Sequence, residues 1–268
     1  MGPDSYYELV DAHDERGEKF AATDLVRSTW SPKIQHGGPV SALLVRGLER
    51  CAQRDDTRIA RVVIDLLGPV PADGDFWIQS RIDRPGKQIE LVSAEMLAAG
   101  PDGPRAVARA SAWRLQTLDT AGLLHAPATP LRPLAEARSR DMAKDWDTNY
   151  VHSVDWRWLT ALADPGPGES WLTPKVSLVG GEALTGVQRL FTVADCANGL
   201  GNKIDIRKFT FLNTDLAVHL HRMPVGAWTG IRAETSYGTD GIGVTLGTLF
   251  DEGGPVGAIQ QSVLVRPR

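Results

Sequence analysis

Cysteine is scarce: Cys51 and Cys196 are the only two in 268 residues. They form no spaced framework, which argues against a disulfide-stapled secreted scaffold and for a reducing cytoplasm. Basic residues are not in excess. Lys and Arg number 29 against 33 Asp and Glu, a net charge of -4, so there is no positive field for nucleic acid. Long apolar runs are missing too; none approaches the roughly 20 residues that span a bilayer. The opening MGPDSYYELVDAHDERGEKF is too polar for the apolar core of a signal peptide. Three motifs are absent: the G-x-S-x-G elbow of serine α/β-hydrolases, the P-loop, and a dinucleotide G-x-G-x-x-G after a strand. The remaining composition, 42% apolar and 23% charged, is that of an ordinary globular protein.

What the chain does have is a repeat. RVVIDLLGPVPADGDFWIQSRIDRPGKQIELVSAEMLAAGPDGPRAVARASAWRL and FLNTDLAVHLHRMPVGAWTGIRAETSYGTDGIGVTLGTLFDEGGPVGAIQQSVLVR match in order. Asp65 corresponds to Asp215, Trp77 to Trp228, and Gly103-Pro104 to Gly254-Pro255, at an offset of about 150 residues. A Gly-initiated apolar segment precedes each stretch. At that offset the first copy carries Val45 where the second carries Asp195. A duplicated unit with an acid in one copy reads as a pair with one working site. Two units of about 130 residues can bury a substantial shared core.

The pattern predicts an α+β plan in each unit. In the first (1–117), short strands at 5–9 and 17–30 lead to a helix opening at His36-Gly37-Gly38-Pro39. Pro39 suits a first helical turn, and Val40, Leu43, Leu44, Gly47 and Leu48 share one face. Strands follow at 58–67, 75–82, 88–99 and 104–116, with a turn at 100–104. Residues 118–149 read as a connector, with a helix over 133–145. The second unit (150–268) repeats the plan, with strands at 150–160 and 169–179 and a helix at 182–198. Its remaining strands are 208–221, 227–237, 241–251 and 256–266.

Four stretches carry a resemblance to a known family: HGG at 36–38, VADCANG at 193–199, NTDLAVHLHR at 213–222 and GPVGAIQQSVLVR at 254–266. They resemble the double-hotdog acyl-CoA thioesterases, typified by the bacterial type II enzyme, over 20–117 and 150–267. The resemblance implies two fused units, each a long helix wrapped by an antiparallel sheet, forming one continuous sheet. It implies hydrolysis of an acyl-CoA to a free acid and CoA. In that family an Asp, a Ser or Thr, and a Gln position the attacking water. The Asp carries over to Asp195 and the Gln to Gln261, while the Ser/Thr position falls on Asn213, a departure. The resemblance also implies a pairing of chains, so a homodimer is expected.

Thioester hydrolysis needs an activated water, a proton acceptor and donors for the oxyanion. Asp195 is the only carboxylate of the predicted helix between Gln188 and Asn198. Gln261 and Asn213 offer neutral donors and acceptors. Backbone N–H groups at Gly37-Gly38 are candidate oxyanion donors, and His36 is a candidate substrate contact. No metal or redox cofactor is required. Plainer readings stand beside these: a solvated Asp195, an outward Gln261, a glycine pair that only permits close packing, and a His36 that only caps its helix. His219 and His221 have an i, i+2 spacing that can bind metal, but no acidic or cysteine cluster supports it. Asp205 and Asp215 read as structural. An acyl tunnel is expected between helix and sheet near Leu44, Leu190 and Val193. Lys203, Arg207 and Lys208 either meet CoA phosphates or form a solvated loop. The alternatives are a non-catalytic acyl-CoA or lipid-binding protein and, ranked lower for want of a His in the second helix, an acyl-CoA hydratase or dehydratase. Fatty-acid turnover, polyketide release and detoxification all fit.

Overall fold

Helix α1 (Gly37–Arg50) is buried from Gly38 to Leu48 without interruption, not on one face only. The reason is a second helix, α3 (Gly186–Ala194), which lies antiparallel against it and covers the side that the sheet leaves open. The computed structural model describes residues 3–139, 146–162 and 164–268. In the first half, α1 is accompanied by β1 (Ser5–Asp11), β2 (Glu18–Ala22), β3 (Thr57–Leu66), β4 (Asp75–Arg84), β5 (Ile89–Ala98) and β6 (Arg105–Gln116). The second half contributes β7 (Arg138–Ser139), α2 (Asn149–His152), β8 (Val154–Trp158), β9 (Gly168–Pro174), β10 (Ser177–Val179) and α4 (Ala197–Leu200). It ends with β11 (Phe209–Asn213), β12 (Asp215–Leu220), β13 (Thr229–Tyr237), β14 (Ile242–Asp251) and β15 (Gly254–Pro267).

These strands form one 15-stranded sheet, ordered β10-β1-β2-β4-β5-β6-β3-β12-β15-β14-β13-β9-β8-β7, with β11 also on β15. This is the double-hotdog architecture that the resemblance implies. The halves join where β3 and β12 pair antiparallel, and Asp65 lies directly opposite Asp215. Those two aspartates are also repeat equivalents. A residue paired with its own equivalent marks the place where a local two-fold axis relates the halves. A second tie crosses elsewhere: Arg46, fully buried, donates to Glu18 of the first half and to Glu182 of the second.

Several expected elements differ. The helix expected over 133–145 is a single 3-10 turn at Leu134–Glu136 followed by β7; residues 140–145 lie outside the described residues. Where a strand was expected from 150, the chain first makes α2, and β8 starts at Val154. The helix expected over 182–198 starts only at Gly186, after the Thr185 cap, and breaks at Asp195-Cys196 before α4. The strand expected over 208–221 breaks at Thr214: β11 pairs Asn213 with Val263, while β12 pairs Ala217 with Gln260. One extra residue sits between them, a bulge, and Asp215 Oδ1 accepts the Ser262 N–H there in place of a backbone carbonyl.

The two helices touch backbone to backbone. A Cβ on Gly38 would lie 2.2 Å from the Thr192 carbonyl oxygen, and one on Gly37 would lie 2.6 Å from Asp195 Oδ2. Alanine normally improves a helix over glycine by about 1 kcal/mol. At Gly38 it must instead push α3 away, because the obstacle is main chain. Gly38→Ala is therefore expected to destabilise the protein by about 1–3 kcal/mol in urea unfolding. An unchanged or raised midpoint would mean that the helices do not need this contact.

Candidate active site

Asp195 ends α3 in a helical conformation, and the chain turns immediately after it. Its side chain is almost fully buried. The turn aims the carboxylate across the helix pair, onto the start of α1. Oδ2 lies 3.3 Å from His36 Nδ1 and packs on the bare Cα of Gly37. Oδ1 accepts from Asn213 Nδ2 at 2.7 Å. Asn213 is the last residue before the bulge, a place where sheets commonly redirect a side chain. Its amide oxygen accepts from Asn198 at 3.3 Å. A polar chain thus runs from α4 through the end of β11 to Asp195.

His36 is the N-cap of α1, and its Nδ1 accepts the Gly38 N–H at 3.1 Å. This bond puts the ring proton on Nε2. Burial pushes the His36 pKa below its ordinary value, and the nearby Asp195 charge offsets only part of that. Burial thus favours the neutral ring, whose Nδ1, accepting the Gly38 N–H, lies beside Oδ2. Tyr150 stacks beneath the ring, 3.7 Å between centroids and 10° from parallel. Its hydroxyl donates to the Thr192 carbonyl and touches Cys196 Sγ at 3.2 Å.

A cavity of about 230 Å³ opens on this cluster. His36, Gly37, Asp195, Asn198 and Asn213 supply part of its polar wall, with Ser28, Gln35 and Thr214, and Trp30, Val40, Leu66, Val70, Leu212 and Leu264 supply most of its apolar wall. Of the six residues singled out in the sequence, Asp195, Asn213, His36 and Gly37 meet here. Gly38 lies one step back, its N–H taken by His36. Gln261 also lies behind: its Nε2 donates to the main-chain carbonyl of Asp195 at 3.2 Å, not to the carboxylate. That bond satisfies a carbonyl left free where the helix ends.

The expected tunnel lining is corrected. Leu44, Leu190 and Val193 are fully buried in the helix–sheet core and do not line this cavity. Nor do Lys203, Arg207 and Lys208. Lys203 donates to the Asp164 carbonyl, and Arg207 pairs with Asp205, which serves its own loop. Sequence reasoning missed Asn198, Tyr150 and Trp30. Asn198 sits three residues past Asp195 within VADCANG and could have been flagged; Tyr150 and Trp30 carried no local signal.

The local two-fold has a counterpart site at the opposite ends of the same helices. Thr185 caps α3 as His36 caps α1. It meets Glu49, one turn beyond Val45, donating to Oε1 at 2.9 Å, while Gln188 Nε2 donates to Oε2 at 2.6 Å. Both oxygens of Glu49 are therefore occupied by protein donors. The Glu49 carboxylate, one turn from the Asp195 counterpart Val45, ties the helices together.

Solved structures define the class of fold. A conserved hotdog-fold protein of unknown function from Alicyclobacillus acidocaldarius superposes with a TM-score of 0.75 at 12% identity, covering 95% of this chain and 94% of that one. An acyl-CoA thioesterase II from Mycobacterium marinum superposes with a TM-score of 0.69 at 16% identity, covering 98% and 96%. The family follows from sequence. Residues 26–115 match the acyl-CoA thioesterase N-terminal domain and residues 134–265 match its C-terminal domain. The chain belongs to the acyl-CoA thioesterase family. No curated protein matches it in sequence.

Glu49 provides a test of the mirrored contact. Burial raises its pKa above the ordinary carboxyl value, and the bonds from Gln188 and Thr185 offset part of the rise. A carboxyl raised on folding contributes stability below its unfolded pKa, about 4.3, and loses it as pH climbs through the folded value. The melting temperature of Glu49→Gln relative to wild type should therefore rise between pH 4 and pH 7. A pH-independent difference in thermal unfolding would show that Glu49 titrates as it does in the unfolded chain.

Proposed function

We propose that the protein hydrolyses acyl-CoA thioesters to a free carboxylic acid and CoA, with Asp195 as general base. One observation carries this reading. In a chain of the acyl-CoA thioesterase family, a buried carboxylate stands in the wall of an apolar cavity, between a helix start and the Asn213 amide.

A water against Asp195 Oδ2 attacks the thioester carbonyl carbon as Oδ2 takes its proton. The proton is held on Oδ2, beside a His36 ring whose Nδ1 is committed to the Gly38 N–H. Negative charge on the carbonyl oxygen meets the positive end of α1. The Gly37 N–H is the donor in this scheme, because the Gly38 N–H is committed to His36. Collapse of the intermediate breaks the C–S bond, and the proton held at Asp195 passes to the leaving thiolate. Asn213 acts on the base rather than on the water, since its amide is engaged at both ends. Gln261 holds the turn that carries Asp195. His36 and Gly37 form the substrate-facing wall.

The same reading makes the protein a cofactor-independent cytoplasmic enzyme of lipid metabolism. Among the described residues no helix is long and apolar enough to cross a membrane. An exposed apolar row on β14, Ile242, Val244 and Leu246, supports pairing of two chains.

A second reading has one observation behind it. Addition of water to an enoyl-CoA uses a His with a carboxylate, and the fold brings His36 of the first half to Asp195 of the second. Hydrolysis is favoured because His36 Nδ1 is already engaged as a helix cap.

Thiol release from acetyl- to palmitoyl-CoA separates these. Wild type should release thiol, and Asp195→Ala should lower kcat by about 100- to 10,000-fold. Loss of enoyl absorbance without thiol release would favour hydration. Activity that survives the substitution would show that another group is the base.

A further inference from the structure

The cavity at Asp195 is small, about 230 Å³, and Trp30 is the one large aromatic ring in its lining. Adjoining it is a second chamber of only about 30 Å³, bounded by Trp146, Tyr150, Trp156, Ile206 and Phe211. Trp30, His36 and Asn198 line both chambers. Of these three Trp30 is the large ring, and Phe211, which lines the second chamber, meets it edge to face at 5.0 Å and 88°. This geometry is a favourable aromatic contact. Trp30 is pinned from another side, because the Arg268 guanidinium lies 5.6 Å from its ring centroid. Phe211 is itself buried, on β11 two residues before Asn213. This aromatic wall is thus built into the strand that carries a site residue.

We propose that the Trp30–Phe211 pair limits the acyl group to a short chain and is the specificity determinant of this site. This inference rests on acyl-CoA hydrolysis at Asp195. A cavity of about 150 Å³ holds a benzene molecule. At the packing density of organic matter, the space of about 230 Å³ at Asp195 holds on the order of six to eight carbons, and the reacting thioester takes part of it. A butanoyl or hexanoyl group fits; a palmitoyl group does not. The second chamber has room for about one water, so it adds nothing while the wall stands. Removing the Trp30 ring joins the chambers and lengthens the cavity toward Trp146 and Trp156; removing Phe211 enlarges the second chamber and takes away the ring that Trp30 packs against.

The test compares kcat/KM over acetyl- to palmitoyl-CoA for wild type, Trp30→Ala and Phe211→Ala. Wild type should peak at or below about six carbons. Each variant should raise the decanoyl-to-butanoyl ratio by about tenfold or more, the scale on which a hydrophobic pocket discriminates chain length. Trp30→Phe and Phe211→Leu trim the wall with less risk to folding and should give intermediate shifts. A second measurement reads cavity length without turnover: binding of S-alkyl-CoA thioethers to Asp195→Asn, where affinity should stop rising near six carbons and continue rising in the Trp30→Ala double variant. A wild-type preference for palmitoyl-CoA, or folded variants with unshifted ratios, overturns the proposal while leaving hydrolysis at Asp195 standing. If wild type releases no thiol from any substrate, hydrolysis fails, and the thioether series alone decides whether this wall sets the length of the cavity.

Discussion

The site depends on a close approach of two helices. α1 and α3 run antiparallel and touch where Gly37 and Gly38 face Thr192 and Asp195, with no room for a Cβ between them. That approach puts a carboxylate from one half of the chain at the positive end of a helix from the other. It also positions His36, because the ring that caps α1 is the one that reaches Asp195. Tyr150 braces the approach from below, bonded to the Thr192 carbonyl and stacked on His36. Separate the helices by a methyl group and every distance in the cluster changes.

Two interruptions of regular structure do the aiming. α3 stops at Asp195 and the chain turns into α4, and the strand around residue 214 carries a bulge between β11 and β12. Each leaves backbone groups without their ordinary partners, and a side chain takes each one up. Gln261 donates to the Asp195 carbonyl, and Asp215 accepts the Ser262 N–H. Polar side chains spent in this way fix the direction of Asp195 and Asn213. They do not need to touch a substrate to matter.

The duplicated plan makes the asymmetry intelligible. Both helix caps meet a carboxylate on the other helix: His36 meets Asp195, and Thr185 meets Glu49. At one end an acceptor faces the carboxylate, and an apolar cavity opens beside it. At the other, protein donors occupy both carboxylate oxygens. A carboxylate bonded through both oxygens is a strut, whereas Asp195 takes its side-chain hydrogen bond at Oδ1 and turns Oδ2 to the start of α1. The same helix pair therefore holds a tie at one end and a carboxylate beside a cavity at the other.

Most of the fold was legible along the chain. The alternating strands, their Gly-rich turns and the Gly-led helices are local patterns, and the repeat placed Asp65 and Asp215 in correspondence before the structure paired them. Asp195 also stood out in sequence, as the acid that one copy has and the other lacks. The breaks at Asp195 and Thr214 were not legible, because helical and strand periodicity run through both positions and only tertiary partners compensate the lost backbone bonds. Glu49 escaped notice because its role depends on Thr185 and Gln188, more than a hundred residues away. Trp30, Tyr150 and Phe211 carry no pattern of their own; their function as walls and braces exists only once distant segments pack. The sequence by itself determined the elements, their duplication and the odd acid, since these follow from local periodicity and composition. The tertiary structure alone decided which groups face that acid and how long the cavity beside it is. Those are properties of the close packing between segments, and no single segment contains them.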